Sequence, residues 1–272
     1  MRNLLLVLLL CLSFSHSAIT LTSMDVAIDV NPDGSAEITE NLGLLITTQN
    51  SIDLYKSGLS QNNLASWSEL TGLQDARCHV DNRYVDISNV VVRPQPVYQC
   101  NPLADLCHGQ LKITYHVDGY LDKNGKIVND TGIFILDNYK PRTTRYSLNP
   151  SALGFEESGL GDVILGENER LSVILPDDAK AIEVNPLPEG VARADMKNLK
   201  EMSWKNTVLA RFSIVFEREE GLDDEVLAFF TDSKDAIMQV FSGPEGIALI
   251  ILIVIIVGGY LHLQTRVRKV VK

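Results

Sequence analysis

The sequence predicts an all-β protein, mainly an antiparallel β-sandwich with a small helical insertion, followed by one C-terminal transmembrane helix. Three observations predict it. Apolar residues recur at every second position on both sides of Asn31-Pro32-Asp33-Gly34. Further short segments with the same alternation are separated by turn-forming residues. Residues 246–263, GIALIILIVIIVGGYLHL, carry no formally charged side chain.

The N-terminus, MRNLLLVLLLCLSFSHS, has a cation at Arg2, an apolar stretch over 4–12 and small residues at Ser15 and Ser17. That is the pattern of a secretory signal peptide over 1–17, cut before Ala18. A lipoprotein or an uncleaved signal anchor is the alternative. Leu10, however, is too large for the position before a lipidated cysteine, and the apolar run is short for a span.

Residues 29–40, DVNPDGSAEITE, match a calcium-loop pattern at Asp29, Asn31, Asp33, Gly34 and Glu40. Such a loop needs a helix on each side. Here Met24, Val26, Ile28 and Val30 lead in with period two. Ala36, Ile38, Leu42, Leu44 and Ile46 lead out, with Glu40 as the one exception. The pattern is that of a β-hairpin with a Pro-Asp-Gly turn. Asp29, Asp33 and Glu37 could still hold a loose surface cation. Further strands are expected in 84–92, 109–117, 126–136, 170–176, 180–186 and 208–217. Only 60–72 reads as helix, with Ser60 as its cap, Leu64, Trp67 and Leu70 on one face and Gly72 as the stop. The outer region divides on this reading into 18–140, which carries the insertion, and 141–220.

DVNPDGSAEITENLGLLI, RTTRYSLNPSAL, ERLSVILPDDAKAIEVNPLP and MSWKNTVLARFSIVFE resemble stretches of poorly characterised exported archaeal single-pass membrane proteins. The resemblance implies an envelope-facing β-sandwich, and it brings no catalytic residues.

Three cysteines follow the signal peptide: Cys78, Cys100 and Cys107. Outside the cytoplasm a disulfide is the default, and Cys100–Cys107 is the favoured pair. Cys78–Cys100 or no bridge are the alternatives. Cys78-His79 and Cys107-His108 also raise zinc. Neighbours on a strand point to opposite faces, which weakens that reading, and no metal or other cofactor is expected. Asn129-Asp130-Thr131 is a glycosylation sequon. HExxH, GxSxG and phosphate-loop motifs are absent from the sequence, so no catalytic residue is nominated. An extracytoplasmic hydrolase using acidic residues, or a metal-dependent binding protein using the cysteine–histidine set or the 29–40 loop, remains the alternative function. His116 reads as an ordinary strand residue, and Asp177-Asp178 as a solvated turn.

All 35 acidic residues lie in 18–245. Arg2 and four tail residues lie outside, leaving 19 basic residues and a formal charge of −16 there. That argues against nucleic acid as a partner. Residues 221–245 are expected to form a juxtamembrane helix, with acidic residues at its start and Phe229 and Phe230 as an interaction surface. The 246–263 run suits a single span, and the basic tail 264–272 places the C-terminus on the cytoplasmic side. A protein partner of unknown identity is expected. The functional expectation is a membrane-anchored, extracytoplasmic protein that acts by binding.

Overall fold

The computed structural model describes residues 18–119, 128, 131–140 and 142–219. The chain divides into two compact units, Met1–Glu219 and Glu220–Lys272, and every described residue lies in the first. The expected signal peptide over 1–17, Asn129, the expected juxtamembrane helix over 221–245 with Phe229 and Phe230, the 246–263 segment and the tail lie outside the described residues. Among the described residues no helix is long and apolar enough to cross a membrane.

The fold is all-β with largely antiparallel sheets. Strands β1 (Ile19–Val30) and β2 (Ala36–Ile46) form the expected hairpin. Asp33 Oδ1 accepts from the Ser35 backbone N–H at 3.0 Å and from its hydroxyl at 2.7 Å, and Gly34 takes φ 89°. The acidic residue of the turn is therefore used within the turn. Positive φ costs glycine little, which fits it to this position. Asp29 pairs across the hairpin with Glu37.

Two helices follow where one was expected. α1 (Gln49–Ser57) starts at Thr48, whose hydroxyl accepts from Ser51 N–H. α2 (Leu64–Thr71) is capped by Asn63, not Ser60, because residues 58–60 are taken up in a short 3-10 turn. Gly72 ends α2 in the left-handed conformation at φ 67°. α1 shows only Ile52 and Tyr55 to the core, too few apolar residues for a visible helical period.

Strands β3 (Val85–Asn101) and β4 (Leu106–Gly119) form a second, longer hairpin. After it come β5 (Phe134–Lys140), β6 (Thr143–Leu148), the two-residue β7 (Glu156–Glu157) and β8 (Val163–Ile164), β9 (Glu169–Ile174), β10 (Lys180–Asn185), β11 (Glu201–Lys205), β12 (Val208–Leu209) and β13 (Ser213–Glu219). A six-stranded sheet has the order β11-β9-β1-β2-β4-β3. A four-stranded sheet has the order β10-β13-β6-β5, and β12-β8-β7 form a small third sheet. The β1–β9 pair is parallel. It brings 18–140 and 141–220 into one sheet.

One face of the six-stranded sheet is buried. Met24, Val26 and Ile28 of β1, Ile38, Leu42 and Leu44 of β2, and Leu111, Ile113 and Tyr115 of β4 all point into it. At the β1–β2 turn this face meets the four-stranded sheet. Tyr146 Oη donates to Pro32 O at 2.5 Å, and the Leu136 side chain lies where a Cβ on Gly34 would fall. Behind this contact Tyr146 stacks on Phe216, and Phe134 meets Phe216 edge-on. At the opposite end the helical insertion covers the sheet, with Tyr55 and Trp67 rings 5.2 Å apart. Burying aromatic side chains of this size contributes roughly 2–3 kcal/mol each. Glu219, the last described residue, follows Arg218, which donates to Pro32 O at 3.4 Å. The tip of the β3–β4 hairpin lies at the other end, since Cys107 pairs with Ile46 and Val117 with Ala36.

Candidate functional site

Two features stand out from a core that otherwise alternates regularly. The first is Glu40, the exception already visible in β2. Strand period turns its side chain inward, between Val26 of β1 and Ile113 of β4. It is 0% exposed, and His79 beside it is 2% exposed. A buried carboxylate must be matched by donors, and three reach it. Oε1 accepts from the His79 backbone N–H at 2.7 Å and from the Tyr115 hydroxyl. Oε2 lies 2.8 Å from His79 Nδ1.

His79 is held from the far side by residues 149–155. Gly154 N–H donates to His79 O at 2.9 Å, and Val80 bridges to Leu153. A Cβ on Gly154 would lie 3.0 Å from the backbone at His79 and Val80, so a side chain there would push the two segments apart. The Phe155 ring packs on the imidazole at 5.6 Å. Burial and the neighbouring Glu40 charge push the Tyr115 hydroxyl well above its ordinary pKa. Burial, then Glu40, pushes the Cys78 thiol up to about 12. Cys78 is therefore a neutral thiol near pH 7, not a nucleophile. The cluster ties residues 78–80 to the centre of the sheet. Both Glu40 carboxylate oxygens are engaged within it.

Beside it lies a cleft of about 630 Å³ lined by Arg77, Cys78, Asp81, Arg83, Phe155 and Glu157 among others. Arg83 holds Asp81 through paired hydrogen bonds of 2.5–3.0 Å. Those bonds and the arginine charge keep the Asp81 carboxyl below its usual range. An acid so held stays ionised and does not serve as a proton donor.

The second feature is the β3–β4 tip. Cys100 and Cys107 are bonded, with Cα atoms 4.1 Å apart. The bridge closes a loop in which Leu103 is 100% exposed; just before the loop Tyr98, tilted against the His108 ring, is 44% exposed. β3 is an edge strand. Pro94 and Pro96 lie within it, and its register slips between Ser88 and Val91, Gln95 and Tyr98, and Tyr98 and Asn101. Tyr55 repairs the slip beside Gln95: its hydroxyl reaches the carbonyls of Gln95 (2.8 Å) and Gln110 (2.9 Å) and accepts from Gln110 N–H at 3.1 Å. Burial, foremost, raises the Tyr55 hydroxyl to about 12.

The Cys-His dipeptides do not converge. The bridge takes Cys100 and Cys107, while His79 faces Glu40. Among the described residues no group of three His, Cys, Asp or Glu side chains could hold a metal ion. His116 lies on the open face between Glu37 (2.7 Å) and Asp118 (3.3 Å). Asp178 is paired with Arg218 at 2.6 Å. The Glu40–His79–Tyr115 cluster escaped sequence reasoning because its partners lie 39 and 75 residues apart. The charged residue on an apolar stripe was its one signal. No family model matches the chain, and no curated protein matches it in sequence.

Proposed function

We propose that this chain is a membrane-anchored, extracytoplasmic β-sandwich protein that acts by binding, as a cell-envelope component, an adhesion module or an accessory subunit of a membrane complex. The bridged β3–β4 hairpin carries this reading. It ends in a covalently closed tip with a fully exposed leucine, at the end of the sheet opposite Glu219. Leu103 adds nothing to the core, and the bridge holds the loop that presents it in a fixed shape, which is why this tip is taken as a contact. The disulfide suits an oxidising compartment. The sequence adds the 1–17 leader, the uncharged 246–263 run and the basic tail. Phe229 and Phe230 are the second proposed contact, and Asn129 a proposed glycan acceptor.

The test has two arms. In sealed cells, an impermeant protease should digest 18–245 and spare the tail. Protection of the outer region would overturn the topology. Leu103→Asp, or Phe229→Asp with Phe230→Asp, should release co-purifying partners from native membranes without lowering the melting temperature. Retention of every partner by all these variants would overturn binding through these surfaces.

A further inference from the structure

The outward face of the six-stranded sheet is polar and open, and its charges are sorted. Strand pairing aligns side chains into rows across the strands. One row runs Lys205, Arg170, Asp25, Asn41, Lys112, Arg93, from β11 through β9, β1, β2 and β4 to β3. Four of its six residues are cations, in an outer region whose formal charge is −16. Lys205 stands directly opposite Arg170, and Lys112 directly opposite Arg93. Like charges in directly opposed cross-strand positions are destabilising. Among the described residues Arg170 meets Asp25 at 3.7 Å, and Lys205, Lys112 and Arg93 form no ion pair. The fold therefore carries two like-charged pairs: Asp25 partly relieves the first through Arg170, and no ion pair among the described residues relieves Lys112–Arg93.

The neighbouring row is small: Ser203, Ser172, Ala27, Thr39, Thr114, Val91. Beyond it stand Glu201, Asp29 and Glu37, with His116. At about 3.3 Å per residue, Asp25 and Asp29 lie roughly 13 Å apart. A ligand on the cationic row must therefore be narrow. A bilayer or a nucleic-acid duplex would cover the acidic row as well. No aromatic side chain stands in the cationic row, and single-stranded nucleic acid is held largely by such stacking. Five strand intervals of about 4.8 Å give the row a length of roughly 24 Å. Asn41, Ser172 and Thr39 offer hydrogen bonds to hydroxyl groups along it.

We propose that this face binds a linear carboxylated polysaccharide lying across the strands, with its carboxylates at the Lys205–Arg170 and Lys112–Arg93 pairs. The proposal deepens the binding reading above and rests on the outer region being exposed to the envelope. The intact protein in non-ionic detergent should be titrated with oligogalacturonate, with neutral dextran, an oligothymidylate and anionic vesicles in parallel. Oligogalacturonate should bind in a salt-sensitive way, and dextran should not. Arg93→Gln with Lys112→Gln should weaken binding about tenfold and flatten its salt dependence. Its melting temperature should hold or rise, since a repulsive pair is removed. Lys180→Gln, in the other sheet, should leave binding unchanged. The proposal falls if oligogalacturonate does not bind, if the double variant binds as well as the parent, if Lys180→Gln loses as much, or if the oligothymidylate or the vesicles bind more tightly. The protease-access experiment separates the two claims. A protected outer region with intact glycan binding sinks the topology alone, and an exposed one without glycan binding sinks this inference alone.

Discussion

The two hairpins of the six-stranded sheet reach the same pairing by different means. β1–β2 needs little beyond its own sequence: it has one register slip, between Leu21 and Ser23, apolar residues alternate on the inner face over 24–46 except at Glu40, and a short turn closes on Asp33 and Gly34. β3–β4 needs more than its ladder to hold it. Two prolines and three register slips weaken its edge, and a disulfide, the Tyr55 hydroxyl and the helical insertion restore it. A regular pattern is thus enough where a strand lies inside the sheet. An edge strand needs clamps, and its prolines and bulges also discourage pairing with a second chain.

The largest break should come where the hairpins share a buried charge. Glu40→Ala leaves His79 and Tyr115 without their acceptor, and should cost about 3–5 kcal/mol, read by denaturant melts. A loss below about 1 kcal/mol would show that the cluster is not structural. Glu40→Gln should cost less, because it keeps an acceptor. Next is the clamp itself. Cys100→Ala with Cys107→Ala should fold but lose about 2–3 kcal/mol, and hydrogen exchange should rise over 93–110 while 24–46 stays protected. Equal loosening of both hairpins would erase the contrast. Tyr55→Phe removes one hydroxyl and leaves the groups at the β3 slip unsatisfied. It should cost about 1–3 kcal/mol, again confined to the second hairpin.

The smallest effect belongs to the first hairpin. Burial works against the Asp33 carboxylate, but its hydrogen bonds from Ser35 outweigh that, so its pKa is lowered from 3.8. A depressed folded-state pKa gives stability that is present above the unfolded value and lost as pH falls through the folded one. Acid melts of the parent against Asp33→Ala should therefore converge below pH 3.8. Above it they should differ by less than about 1 kcal/mol, since the turn is exposed.

The same contrast governs how much could be read from the sequence. The first hairpin was legible because period two survives in 24–46. β3 was expected to stop at 92 and runs to 101, because prolines that would break an inner strand are tolerated at an edge. The strand expected over 126–136 is found only from Phe134, and β5 runs on to Lys140; the one expected over 208–217 is interrupted at 210–212 and divides into β12 and β13. β6 and β11 showed no clear alternation by themselves, although Tyr146 and Trp204 prove to be core residues. α1 was missed for want of apolar residues. The Cys100–Cys107 bridge was favoured by its spacing. His79 could not be matched to Glu40, since no local pattern links a loop residue to a strand 39 positions earlier. The cationic row was hidden for the same reason: its members come from six strands and become neighbours only once register is set.

The parallel pairing of β1 with β9 bears on the order of assembly. β1, β2, β4 and β3 are complete in the chain by residue 119, and can pair as two hairpins joined through β2 and β4 as the polypeptide emerges. The outer side of β1 stays open until residues 169–174 arrive, some 140 positions after the strand they join. Topology of this high contact order closes slowly and leaves a free edge meanwhile. On that edge Asp25 and Asp29 alternate with the apolar residues, so a nascent β1 that meets another nascent β1 brings carboxylate against carboxylate. In the finished sheet Arg170 comes to lie against Asp25, and the strand that carries it closes the edge.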